Sequence, residues 1–337
     1  MSLGKRIVTE VSGCLRVFDD GTVDRTWTGP PEMEFMTKSV PPHEEFIDGV
    51  ATRDVVIDST SGRMVRIYIP QNEENIAGKD KLPLLLHFHG GGFCFSRPQW
   101  YLYYNFYARL VLSARAVCVS VDLRLAPEHR VPAACDDAYS AFLWLDAVAR
   151  GELSEPWLET YADFGRVFLV GDSTGGNLVH ETASRAGEID AGALKLVGGI
   201  PLHPGFIREE PSRSLLELPE SPMLTRDMVT KLMDLGLPEG CTKDHPVTCP
   251  MGPSAPPLSL LKLPPMLVVV AEKDLLRDTE LEYCEAMKKA GKEVEVLLEE
   301  GMSHCYYLNK IAVDVEPEAA ASADRLIAAI INFINRG

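Results

Sequence analysis

Three residue types, spaced through the second half of the chain, could together activate an alcohol as a nucleophile. Ser173 stands in Gly171-Asp172-Ser173-Thr174-Gly175-Gly176-Asn177, which fits Gly-x-Ser-x-Gly. Before it, Val167-Phe168-Leu169-Val170 reads as a buried strand; after it, Asn177 to Ala186 reads as a helix. Strand, glycine-rich turn and helix are the setting in which a serine is lifted out of a sheet on a sharp elbow. Gly171, Gly175 and Gly176 give a tight turn the clearance it needs. A serine hydroxyl is a weak nucleophile until a base takes its proton and a third group orients that base. His304, in Gly301-Met302-Ser303-His304, follows a strand expected over Val294 to Leu298 and can be the base. Asp274 and Asp278, after a strand over Met266 to Val270, can each be the orienting acid; each can equally cap the following helix.

The oxyanion formed by such a nucleophile needs N–H donors. Gly90-Gly91-Gly92 ends the apolar strand Leu82 to His89, and its backbone can approach an anion closely. With the Thr174 N–H at the start of the helix, Gly90, Gly91 and Gly92 are the expected donors. His87 and His89 face one side of that strand, but no third ligand is spaced to match and His180-Glu181 does not extend to His-Glu-x-x-His, so no metal is expected. No phosphate-binding or dinucleotide glycine motif occurs, and no cofactor is called for. The aromatic cluster Trp100, Tyr101, Tyr103, Tyr104, Phe106 and Tyr107 reads mostly as core, with one or two rings available to a pocket.

The elements that position these groups alternate. Strands are expected over 55–57, 64–69, 82–89, 117–121, 196–202, 266–270 and 294–298, and helices over 103–114, 132–149, 225–235, 279–290 and 318–335. That alternation specifies a doubly wound, mostly parallel sheet. Residues 71–81 read as a polar loop. Two stretches lie outside the pattern. Residues 1–50 show no strong strand pattern, and 28–42 read as a loop anchored by Trp27, Phe35 and Met36. Residues 204–265 hold half of the chain's 24 prolines and one clear helix, with Thr225 as its N-cap. Both are expected to cover Ser173 as a cap on a single domain, with Trp27, Phe35 and Met36 on the pocket side.

Composition narrows the partners. The chain has 337 residues, 46% of them hydrophobic and 24% charged, ample for a large core. A net charge of −16 argues against nucleic acid and anionic membranes as partners. No apolar run approaches the ~18 residues of a membrane span. Residues 1–20 lack the apolar core of a secretory signal. The eight cysteines are scattered, without a Cys-x-x-Cys pair, as expected for reduced thiols in the cytosol.

Taken together, His89-Gly90-Gly91-Gly92, Leu125-Ala126-Pro127-Glu128-His129-Arg130, the Ser173 motif, Asp274-Leu275-Leu276-Arg277-Asp278 and Gly301-Met302-Ser303-His304 resemble the plant carboxylesterases of the hormone-sensitive-lipase type. The stretches 11–21 and 24–31 look closest to the subgroup first noticed in hypersensitive defence responses. The resemblance implies an α/β-hydrolase fold. It implies Ser173 as nucleophile, His304 as base and Asp274 as acid, in the chain order those enzymes use. It implies hydrolysis of small to medium carboxylic esters through an acyl-enzyme, with a small-molecule ester as the partner. Glu128 and Arg130 read as a buried structural network. Two residues depart from the family pattern: Leu123, where Tyr is common, and Thr174, where Ala or Ser is usual and whose β-branch crowds the elbow. The family also holds hormone receptors that have lost the histidine, and dehydratases in which a threonine can alter the oxyanion loop. His304 and an intact Gly90–Gly92 favour hydrolysis.

Overall fold

A computed structural model describes residues 5–71, 81–189 and 192–337. Most of the polar loop expected over 71–81 lies outside the described residues. The central sheet has eight strands: β4 (Val50–Asp58), β5 (Arg63–Pro70), β6 (Leu82–Phe88), β7 (Val117–Val121), β8 (Ala162–Asp172), β9 (Leu196–Leu202), β10 (Met266–Ala271) and β11 (Val294–Glu299). Their spatial order is β11-β10-β9-β8-β6-β7-β5-β4. All pairs from β7 through β11 are parallel; β5 alone runs against its neighbours β4 and β7.

Three of the inner strands are buried along their whole length because helices cover both faces. Every residue of β6, β7 and β10 is buried, which is why they read as unbroken apolar runs rather than alternating ones. One face packs α2 (Ala133–Ala149), α4 (Thr174–Ala186) and α7 (Arg277–Lys289); the other packs α1 (Tyr101–Ala114) and α9 (Pro317–Ile334). The short helix α3 (Pro156–Tyr161) leads into β8. From β6 the chain crosses through α1 to β7 on one side, then through α2 back to β8 on the other. The strand order therefore reverses between β6 and β8, and the crevice at such a reversal, beyond the carboxyl ends of the strands, is where open α/β sheets hold ligands.

The amino-terminal segment is more ordered than its sequence suggests. Ile7–Val11 (β1), Leu15–Phe18 (β2) and Val23–Asp24 (β3) form a small antiparallel sheet of their own, tied by Arg16 to Asp24 at 2.6 Å. These strands are too short to alternate, and Ile7 and Val8 are both exposed, so no period of two was visible. Pro31–Thr37, expected as loop, is a 3-10 helix that packs on α1. Between β9 and β10 lie α5 (Arg213–Glu217) and α6 (Arg226–Gly236), and α6 packs against β1. Thr225 caps α6 as expected, its hydroxyl accepting the Met228 N–H at 3.1 Å.

Candidate active site

The residues singled out for chemistry follow the carboxyl ends of four strands, on one edge of the sheet. Gly90–Gly92 follow β6, Ser173 follows β8, Asp274 follows β10 and His304 follows β11. Ser173 sits at φ 52°, ψ −123°, a left-handed conformation that non-glycine residues rarely hold. Its main chain is clamped on three sides. The N–H donates to Leu202 O at 3.0 Å, and the carbonyl accepts from Gly176 and Gly205 at 2.8 Å each. Glycine is obligatory around it: a Cβ on Gly175 would lie 2.0 Å from Phe88 O, and one on Gly171 would lie 2.2 Å from Gly175 O.

His304 is buried and its Nδ1 lies 2.5 Å from Asp274 Oδ2. Asp274 Oδ1 accepts the Leu276 N–H at 2.9 Å. Burial opposes charge on His304, but the facing Asp274 carboxylate outweighs it and holds the imidazole well above its usual range. Burial likewise opposes the Asp274 carboxylate, and the His304 charge prevails, keeping that carboxyl below its usual range. The two aspartates that the residue pattern left open are thus in different places. Asp278 accepts from Ser214 N–H at 2.8 Å and pairs with Arg277 at 2.8 Å.

Ser173 and His304 line one cavity of about 70 Å³ together with Gly90, Gly91, Gly92 and Cys305. Its remaining wall is mostly apolar, with Phe95, Trp100, Met223, Met228 and Leu232 beside the polar Ser96 and Asp172. A second cavity of about 30 Å³ adjoins it, sharing Ser173, Gly92, Leu224 and Leu232, and is bounded by Thr174 and Gly205. Trp27, Phe35 and Met36 line neither, contrary to expectation. Met36 is buried in the core on the α1 side, the Phe35 ring stands 5.6 Å from Tyr101, and Trp27 Nε1 donates to Pro30 O. The aromatic wall comes instead from the Trp100–Tyr103 stretch, and the aliphatic wall from α6. A larger cavity, about 490 Å³, lies at the opposite edge of the sheet between Phe168, Met266 and Phe333, and holds no nucleophile.

Several contacts decide the site's shape and were not foreseen. Gly90 N–H donates to Tyr103 Oη at 3.1 Å, so of the four expected oxyanion donors it already has a partner. Asp172, directly before the serine, is fully buried and accepts from His87 Nε2 at 2.7 Å, Tyr107 Oη at 3.0 Å and Tyr307 Oη at 2.6 Å. Those bonds tie the elbow to β6, to α1 and to the loop carrying His304. His89 hydrogen-bonds Ser96 Oγ at 3.0 Å, and burial pushes it down to about 3, so it is neutral. Glu128 and Arg130 are not the buried network expected: the Glu128 side chain is 41% exposed. They are fasteners. Glu128 holds Arg25 of the amino-terminal segment at 2.5 Å, and Arg130 donates to the carbonyls of Asp234 and Leu237 at the end of α6.

Among the described residues, two side-chain groups have donor atoms within 4.8 Å of one another, as a metal site would: His203, His304 and Cys305, and Asp274, Glu280 and His304. Their imidazoles are already engaged. His304 Nδ1 faces Asp274, while His203 faces Glu299 through Nε2 and accepts the Cys305 N–H at Nδ1. All eight cysteines are free thiols, and among the described residues no helix is long and apolar enough to cross a membrane.

Residues 85–308 match the family model described as the alpha/beta hydrolase fold. The chain belongs to the α/β-hydrolase family. This α/β hydrolase is 34% identical over 304 residues to a probable carboxylesterase 6 of Arabidopsis thaliana, covering 90% of this chain and 85% of the relative. It is 35% identical to a gibberellin receptor of the same plant, covering 86% of this chain and 83% of the receptor. A solved esterase of Pyrobaculum calidifontis superposes with a TM-score of 0.67 at 28% identity, over 83% of this α/β hydrolase and 84% of that chain. Its relatives place it with the plant carboxylesterases of the hormone-sensitive-lipase type, the group its motifs resemble.

Proposed function

We propose that this α/β hydrolase is a serine carboxylesterase acting on small carboxylic esters through an acyl-enzyme. The observation that carries the reading is the Asp274–His304 pair at 2.5 Å, facing an apolar cavity that Ser173 shares. With Nδ1 held by Asp274, His304 presents Nε2 as the base. Ser173 Oγ attacks the ester carbonyl carbon as Nε2 takes its proton. The carbonyl oxygen becomes an oxyanion that the N–H groups of Gly91, Gly92 and Thr174 receive; Gly90, committed to Tyr103, shapes the loop instead. Collapse expels the alcohol, protonated by His304. Water then repeats the sequence on the acyl-serine and releases the acid.

The two cavities suit the two halves of a small ester, one for the acyl chain and one for the alcohol. Residues 1–50 and 204–265 act as the cap: α6 supplies lining, while β1 and Arg25 brace it from behind. The eight free thiols favour a reducing compartment such as the cytosol. A receptor reading is disfavoured because His304 is present and already paired with Asp274. A dehydratase reading is disfavoured because no threonine interrupts Gly90–Gly92. The test is a panel of p-nitrophenyl esters of rising acyl length, run beside covalent labelling by a serine-directed phosphonate. Turnover of short esters, with the label on Ser173, supports the reading; absence of both overturns it.

A further inference from the structure

Glu280, in the first turns of α7, is fully buried, and neither of its carboxyl oxygens has a hydrogen-bond partner among the described residues. An unpaired buried carboxyl is costly, so its position needs a reason. One of its oxygens, a carboxyl oxygen of Asp274 and a ring nitrogen of His304 all lie within 4.8 Å of one another. That is the span of a single bridging water or of a modest side-chain rotation. We propose that Glu280 is a neutral carboxylic acid whose O–H donates a hydrogen bond towards Asp274, through one water or after a side-chain rotation, making it a positioning residue that sets the basicity of His304. The inference rests on the esterase reading of Ser173, His304 and Asp274.

The surrounding charges support a neutral Glu280. Asp274 faces it from the β10–α7 connection, His304 and Cys305 from the loop after β11, and His203 from the end of β9, the last already paired with Glu299. On its own helix, Cys284 lies one turn on, and Tyr283 Oη is engaged with His180 of α4. From α5, Ser214 is committed to Asp278 and to the Leu275 carbonyl. No lysine or arginine is among these groups. Burial and the Asp274 carboxylate hold Glu280 far above the ordinary carboxyl range, while Asp274 is held below it. Two neighbouring carboxyls driven apart in this way divide into one acid and one base.

Asp274 has room for the proton. Oδ2 serves His304, and Oδ1 accepts only the Leu276 N–H among the bonds seen, leaving a lone pair. A donor there draws charge from the carboxylate and weakens its pull on the imidazolium. His304 is then neutral, and able to act as a base, at a lower pH than Asp274 alone would allow.

The experiment compares wild type, Glu280→Gln and Glu280→Leu, with Glu280→Met in reserve if the leucine variant fails to fold; thermal melts check all of them. The pH dependence of kcat/KM for p-nitrophenyl acetate and the NMR titration of the His304 Nδ1 proton are both read. Glutamine keeps a donor and no charge, so the acid limb should stay within about 0.2 pH unit of wild type. Leucine removes the donor, and the limb and the NMR titration should both move up by about half a unit or more at unchanged KM, the scale of one hydrogen bond to a charged group. A downward shift in Glu280→Gln would mean that Glu280 is an anion, and no shift in Glu280→Leu would mean that it is uncoupled; either overturns the proposal. Because the NMR titration needs no turnover, it still answers if the wild type proves not to hydrolyse esters, and the failure of one reading stays separate from that of the other.

Discussion

Asp274 Oδ2 lies 2.5 Å from His304 Nδ1, across a gap of 30 residues in the chain. Asp278, only four residues further on, turns instead to Ser214 and Arg277. The two aspartates should therefore respond to the same substitution in opposite ways. Asp274→Asn favours the wrong tautomer of His304 and should cost about 10⁴-fold in kcat. Asp278→Asn should change kcat by less than about tenfold and act on stability, since it weakens a tie between α5 and α7 worth about 1 kcal/mol. Steady-state kinetics beside thermal melts separate the two; the reverse ranking would move the acid to Asp278.

Ser173→Ala should abolish ester turnover and phosphonate labelling. The fold should survive, because the serine is held by its main chain and not by its hydroxyl. Residual activity within tenfold of the parent would place the nucleophile elsewhere.

The rate should rise with pH through a limb above the ordinary histidine value of about 6.5. Asp274 holds His304 above that range, and only the neutral imidazole can take the serine proton. Activity is thus lost as pH falls through the raised value. In Asp274→Asn the residual activity should have its limb displaced downward, because burial, which opposes the charged imidazole, is then unbalanced. A pH series of kcat/KM on both proteins checks the sign.

Leu232 stands in both cavities and directly against the Gly90–Gly92 loop, where a Cβ on Gly92 would meet its Cδ1 at 2.6 Å. Leu232→Ala should join the chambers and raise the hexanoate-to-acetate ratio of kcat/KM by about tenfold. It should also cost about 2–5 kcal/mol of stability, as buried leucines do. An unchanged ratio in a folded variant would mean that α6 does not bound the acyl site.

The legible parts of this molecule were those that a local rule dictates. A sharp strand-to-helix turn demands glycines at fixed places, so the elbow at Ser173 could be read. Buried parallel strands must be apolar throughout, so β6, β7 and β10 could be read directly. The unread parts depend on meetings between distant residues. Tyr307 reaches Asp172 from 135 residues away, and Tyr107 from 65. Nothing in the spacing of the tyrosines marks Tyr103 as the partner of Gly90, or Glu280 as the neighbour of Asp274. The small sheet of residues 7–24 escaped because its strands are short and the first is largely exposed, and the pocket wall was assigned to the wrong aromatics because Trp27 turns back to Pro30 and Phe35 packs against Tyr101.

Arg130 gives the fastening its own test. Its guanidinium holds the carbonyls of Asp234 and Leu237 at 2.7 and 2.6 Å. Arg130→Ala should loosen the end of α6, lower the melting temperature and raise KM while leaving kcat within about threefold, since no catalytic group is touched. A fall in kcat at constant KM would contradict a purely structural role.

At Gly90, Gly171 and Gly175 even one methyl group would come within 2.6 Å of a main-chain oxygen. A side chain can swing out of the way, but two backbones locked together cannot, and no single neighbouring substitution restores the space. Inherited variation is therefore closed off beneath the serine. Over it, where Met228, Leu232 and their neighbours are side chains on an otherwise ordinary helix, each position can change alone. Descendants of this chain can diversify in what they accept through α6, while the machinery beneath stays fixed.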